Sequence, residues 1–135
     1  MLLNINPLLT GELLKRLDEM GHSDFVLVAD ANFPAHRVDP TAIEYPGTTV
    51  PEVVRAICQV LPLDAELAPA LMDSGQTPAP PVQDEIEAAA GHPLPARLVD
   101  RWEYYDLAAR ASVVVATGEL RLWGNVVLYK GLITG

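Results

Sequence analysis

Two histidines and an aspartate frame one apolar segment of this sequence: His22 precedes the run Phe25 to Ala29, Asp30 follows it directly, and His36 lies six residues further on. Burial of a segment requires its apolar residues, not the polar groups at its two ends. Histidine, with an ordinary pKa of about 6.5, gives and takes protons near neutral pH. Aspartate offers acceptor oxygens to hydroxyl and amide donors. Proton transfer beside a polar ligand is therefore one chemistry the pattern allows. A plainer account is open as well: a histidine just past a helix C-terminus meets the helix dipole, and an aspartate after a strand starts an Asx turn.

Other polar groups read the same two ways. Arg101 stands ahead of "WEYYDLAARA", where a surface ion pair or a ligand clamp would serve, and Tyr105 within it is a helix-core position. Gly124 and Asn125 in "LWGNVVLYKG" read as a turn into a strand. His92 lies in a Pro-rich loop, and no two histidines share the helical spacing of a zinc site, so no metal site is expected. Dinucleotide-binding, phosphate-loop, serine-hydrolase and paired-cysteine motifs are all missing. Cys58 falls on the apolar side of a helical pattern and reads as a buried structural thiol.

The elements that would position these groups alternate along the chain. Leu13, Leu17 and Met20 recur at helical spacing after a Thr10 cap, with Gly21 expected to end that helix. The run Phe25 to Ala29 is continuous, the pattern of a strand covered on both faces. "TAIEYPG" reads as a short strand, and Thr49 with Glu52 makes a capping box ahead of a second helix. "LAPALMD" and "PARLVDR" read as strands, "QDEIEAAAG" and "WEYYDLAARA" as helices. The β-branched "SVVVATGE" and "NVVLYKG" are further strands. The expectation is one α/β domain over residues 1–135, a largely parallel sheet with helices on both faces.

Composition narrows the partners. A net charge of −9 repels phosphate backbones and anionic membranes, and no basic cluster offsets it. No apolar run reaches the roughly 20 residues of a membrane span and no leader pattern opens the chain, so a cytoplasmic location is expected. Half of the residues are hydrophobic, which leaves room for a subunit interface.

Taken together, "ELLKRLDEMGHSDFVLVADANFPAH" and "RWEYYDLAARASVVVATGELRLWGNVVLYKG" resemble the family of sugar mutarotases that contains L-fucose mutarotase and D-ribose pyranase. The first segment carries the order helix, G-H, strand, D-A-x-x-P. The second carries T-G-E and, after a short loop, G-N and a terminal strand. "DANFPAH" and Arg101, where the ribose branch tends to have histidine, place the likeness nearer the fucose branch. The resemblance implies that His22 is the proton donor, that Asp30 and Arg101 bind sugar hydroxyls, and that Trp123, Gly124 and Asn125 complete the sugar site. One position departs: the family typically has tyrosine where this chain has Trp123, so a phenolic hydroxyl gives way to an indole N–H or to stacking.

Exchange of α and β anomers opens the ring at C1 and closes it on the other face of the aldehyde. His22 suits the role of acid at the ring oxygen, while water or a second side chain, with His36 and Tyr105 as candidates, takes the proton of the anomeric hydroxyl. No metal or other cofactor is implied. The resemblance also implies a ring-shaped homo-oligomer with its sugar sites near subunit boundaries. Two rivals stand beside this reading: exchange between pyranose and furanose forms of a pentose such as D-ribose, and sugar binding without turnover.

Overall fold

In the computed structural model, which describes residues 1–135, the five residues Phe25–Ala29 form strand β1 and all five are buried. The other strands are β2 (Ile43–Tyr45), β3 (Ala70–Met72), β4 (Arg97–Val99), β5 (Val113–Thr117) and β6 (Val126–Tyr129). They form one sheet in the order β2-β5-β1-β6-β3-β4. The helices are α1 (Gly11–Glu19), α2 (Ala35–Val38), α3 (Val50–Cys58), α4 (Pro81–Ala90) and α5 (Arg101–Ala108).

Strand direction departs from expectation. β5 runs parallel to β1 and β2, and β3 parallel to β4, but β6 is antiparallel to both neighbours, β1 and β3. The sheet is mixed, not largely parallel. Residues 118–125, between β5 and β6, contain no helix. A parallel return needs a crossover of about a dozen residues or more, whereas an antiparallel return does not. β6 therefore enters the middle of the sheet reversed, and its first residues lie beside the end of β1.

Alternation along the central strands divides the core. Val26, Val28, Val113, Val115, Val126 and Leu128 pack with Leu13 and Leu17 of α1, Val53 and Ile57 of α3, and Val82 and Ile86 of α4. On the opposite face Leu27, Ala29, Val114 and Val127 meet Ala35 of α2 with Tyr104 and Ala108 of α5. Helices on both faces explain why β1 is apolar without interruption. Tyr104, fully buried, donates its hydroxyl to the Ala70 carbonyl at 3.0 Å, so its polar end is satisfied within that face.

Two helix starts match their sequence signals, and α5 adds a third cap. The Thr10 hydroxyl accepts from Leu13 N, Thr49 and Glu52 form the reciprocal capping box, and Asp100 caps α5. The end of α1 differs: Met20 is extended, with its N–H on Leu17 O, and Gly21 is not a left-handed cap. Lys130 reaches the carbonyls there, its ammonium donating to Leu17 O at 2.9 Å and Met20 O at 2.6 Å. A lysine arriving from the end of β6 thus occupies the place at the helix dipole that the plain account gave to His22.

Candidate functional site

Asp30 lies at the C-terminal end of β1, and Asn125 immediately precedes β6. The antiparallel pairing of Val28 with Val126 brings these two ends together. The Asp30 N–H donates to Asn125 Oδ1 at 2.8 Å, and Asn125 Nδ2 returns a bond to Asp30 Oδ2 at 3.1 Å. Asp30 Oδ1 also accepts from Asn32 N at 3.0 Å, which closes an Asx turn. Both side chains are buried, and burial is the main cause of an Asp30 carboxyl pKa above its ordinary value; N–H groups of Asn32, Gly124 and Phe33 and the Asn125 amide oppose the shift without cancelling it.

An open cleft of about 220 Å³ lies over this pair, lined by Asn32, Phe33, Met72, Arg101, Tyr105, Leu122 and Trp123 as well as Asp30 and Asn125. Arg101 occupies the first turn of α5 and does not stand ahead of it. Its guanidinium stacks on Trp102 and Tyr105, 5.0 and 5.7 Å from the ring centroids, and Nε donates to the Tyr105 hydroxyl at 3.3 Å. Phe33 packs against Tyr105 with centroids 5.6 Å apart. The cleft therefore pairs a carboxylate, a carboxamide and a held guanidinium with aromatic walls, an arrangement able to hydrogen-bond vicinal hydroxyls and cover an apolar ring face.

The loop entering Asn125 is held by the T-G-E segment. The Thr117 hydroxyl donates to Ala29 O at 2.8 Å and accepts from Glu119 N at 3.2 Å. Gly118 is required by a close approach, since a Cβ there would stand 2.8 Å from Gly47 N. Buried Glu119 accepts from Arg121 Nε at 2.9 Å, from its Nη2 at 3.0 Å and from the first-turn N–H of α3 at Val50. The Arg121 side chain is the leading reason that the Glu119 carboxyl titrates below its ordinary range. Glu85 of α4 completes the ion pair on the outer side of Arg121. These contacts brace the cleft without entering it.

His22 is elsewhere. It precedes β1, at the opposite end from Asp30, and five strand residues at about 3.3 Å each put roughly 16 Å or more between the two positions. Its Nε2 lies 2.9 Å from Asp64 Oδ2, and Asp64 Oδ1 accepts from Glu66 N and Leu67 N at 2.8 and 3.1 Å. The Glu66 N–H is the leading cause that holds Asp64 below the usual carboxylate range, with the His22 bond adding to it. A carboxylate partner assigns the hydrogen to Nε2 and leaves Nδ1 for proton exchange. The imidazole is about half exposed, in a second hollow of about 600 Å³ that includes Ser23, Asp64, Glu66, Gly131 and Leu132.

The residues singled out in the sequence thus divide into two groups. Asp30, Arg101, Tyr105, Trp123 and Asn125 share one cleft, and the Gly124 N–H faces the Asp30 carboxylate from its edge. His22 has only Asp64 as its acidic partner, and His36 of α2 pairs with Glu44 of β2, lining neither hollow. Asp64 and Gln83 belong to no motif, and Phe33, a wall of the cleft, lies within the D-A-x-x-P segment but was not singled out. The carboxylate meets His22 across 42 residues of chain, a separation without local signature.

The family model described as the RbsD / FucU transport protein family matches residues 3–133. The chain belongs to the RbsD/FucU family. Among solved RbsD/FucU structures, the fucose mutarotase of Streptococcus pneumoniae in complex with L-fucose is 30% identical, with a TM-score of 0.88 over 98% of this chain and 100% of that one. FucU of Bifidobacterium longum is 33% identical, with a TM-score of 0.82 over 96% and 99% of the two chains. RbsD of Bacillus subtilis, complexed with D-ribose, shares the fold at 16% identity, with a TM-score of 0.79 over 99% and 100%.

Proposed function

We propose that this RbsD/FucU protein is a sugar mutarotase that exchanges the α and β anomers of a free monosaccharide, with L-fucose as the preferred substrate. The observation that carries the reading is the cleft in which Asp30, Asn125 and Arg101 converge beside Phe33, Tyr105 and Trp123. The 30% identical fucose mutarotase supports the choice of sugar, as does Arg101 in the position where the ribose branch tends to have histidine. Asp30 accepts from sugar hydroxyls, Arg101 donates to them, and Asn125 does both.

The step needs no covalent intermediate. An acid delivers a proton to the ring oxygen as its bond to C1 breaks, and the anomeric hydroxyl loses its proton to give an aldehyde. After rotation about the bond between C1 and C2, the freed hydroxyl adds to the other face and both protons return. His22, with Nε2 held by Asp64, is the acid through Nδ1. Of the two side chains considered for the second proton, Tyr105 lines the cleft and His36 does not.

Because His22 and Asp30 lie at opposite ends of β1, one chain cannot place both on a single sugar. The site is therefore shared: the His22 end of one copy faces the Asp30 cleft of the next. Exposed apolar side chains stand at both ends, Leu122 and Trp102 at the cleft and Leu132 beside His22, as such an interface needs. Contacts between unlike patches close into rings when the rotation permits, and a ring-shaped homo-oligomer is the proposed assembly. No helix is long and apolar enough to cross a membrane. A cytoplasmic location is part of the same proposal.

The test is saturation transfer between the α and β anomeric proton signals of L-fucose, D-ribose and other free aldoses, with and without protein. Transfer that depends on protein, strongest with L-fucose and lost in His22→Ala, supports the reading. Binding without transfer in the assembled protein would identify a non-catalytic sugar binder. In that case Trp123 is the first position to change.

A further inference from the structure

Gln83 is 2% exposed, one of the largest buried side chains of the protein and a polar one. It sits in the first turn of α4, outside the cleft, and the proposed reaction makes no use of it. A carboxamide in such a place is costly unless its hydrogens are bonded. Both are: Nε2 donates to Met72 O at 2.8 Å and to Trp123 O at 3.2 Å. One side chain thereby ties the end of β3 to the loop that leads into β6.

The Trp123 carbonyl belongs to the same peptide unit as the Gly124 N–H. A trans peptide is planar, so its C=O and N–H point in opposite directions, and fixing one aims the other. With the carbonyl on Gln83, the N–H faces the Asp30 carboxylate and favours its charged form. This peptide is one that requires holding. Trp123 has φ 69°, the left-handed region that costs a residue bearing a Cβ about 1–2 kcal/mol. Gly124, with no Cβ, accepts either orientation of the peptide before it.

We infer that Gln83 is a positioning residue: it locks the Trp123–Gly124 peptide with its N–H toward Asp30 and so holds the Asp30 carboxylate ready to accept sugar hydroxyls. The last clause rests on the mutarotase reading, and the peptide lock does not. The groups that face Asp30 are Asn125 before β6 and Arg101, Tyr104 and Tyr105 of α5, and a substitution at Gln83 alters none of them.

The experiment compares wild type with Gln83→Leu and Gln83→Met, labelled with ¹³C at the aspartate carboxyls, first without sugar. Loss of the lock removes an N–H that favours the Asp30 charge, so the Asp30 titration moves to higher pH in both variants. Affinity for L-fucose falls about tenfold. Unchanged titration and unchanged affinity in folded, assembled variants would overturn the inference, and a shifted titration with wild-type affinity would overturn the positioning role. If the variants fail to assemble, the unmodified protein decides. Its Gly124 amide proton shift must follow the Asp30 titration and lose that dependence in Asp30→Asn, and a Gly124 shift blind to Asp30 would overturn the lock. Neither titration uses sugar, so failure of the mutarotase reading would show separately, as absence of anomer exchange in wild type.

Discussion

Asp30 and Asn125 close a ring of two hydrogen bonds, backbone N–H to Oδ1 at 2.8 Å and Nδ2 to Oδ2 at 3.1 Å, across the junction of β1 and β6. Residues 95 apart in sequence thus hold each other's polar groups in fixed directions, and both line the cleft. Asn125→Leu leaves the buried Asp30 N–H without its partner. The expected cost is about 1–3 kcal/mol in chemical denaturation, with sugar affinity reduced more than tenfold by calorimetric titration.

Asp30 sets stability against function. Burial raises its folded pKa above the unfolded value, so its contribution to stability is fully present below that unfolded value and is lost as pH rises through the folded one. Above the folded value the ionised carboxylate is therefore a net cost to folding. Asp30→Asn is expected to keep or raise the melting temperature at pH 7 while abolishing anomer exchange. In wild type, sugar affinity should decline as pH falls through the Asp30 titration. A melting temperature well below wild type at pH 7 would contradict this.

Glu119 behaves in the opposite sense. Its carboxyl titrates below the ordinary value of 4.5, chiefly because of the Arg121 side chain, so the stability it contributes is present above the unfolded value and lost as pH falls through the folded one. Arg121 is 44% exposed, which weakens the pair through solvent screening. Glu119→Gln should cost about 1–2 kcal/mol at pH 7 and much less near pH 3, measured by urea denaturation at both values.

Trp123 separates backbone from side chain. Its positive φ makes glycine the more comfortable residue there, so Trp123→Gly should leave stability within about 1 kcal/mol of wild type although a large side chain is removed. Loss of the aromatic wall should still weaken sugar binding at least tenfold. Trp123→Tyr keeps a ring and replaces the indole N–H by a phenolic hydroxyl. Faster exchange in that variant would show that the indole limits turnover.

Much of this was legible in the sequence, for reasons that can be named. β1 and β5 are uninterrupted apolar runs because helices cover both faces of the sheet, and Thr49 with Glu52 announces α3 through local hydrogen bonds. The direction of β6 was harder to read, since strand orientation depends on what the connection contains and residues 118–125 carry no periodicity. Lys130 at the end of α1 shows how a distant side chain can take a role that local spacing assigns to a nearer one. Asp64 and Gln83 were silent because their partners, His22 and Trp123, are 42 and 40 residues away in sequence. Motif order grouped residues that line one cleft, and the strand between His22 and Asp30 already set those two apart; what spacing could not supply was the Asp64 partner of His22.

The central claim is a sugar site built from the His22 end of one copy and the Asp30 cleft of another. His22→Ala and Asp30→Ala should each assemble and each fail to exchange L-fucose anomers. Subunits of the two variants, dissociated, mixed in equal amounts and reassembled, should regain roughly a quarter of wild-type exchange, because a random mixture pairs intact His22 with intact Asp30 at one interface in four. Mixed assemblies with no more activity than the separate variants would contradict the shared site.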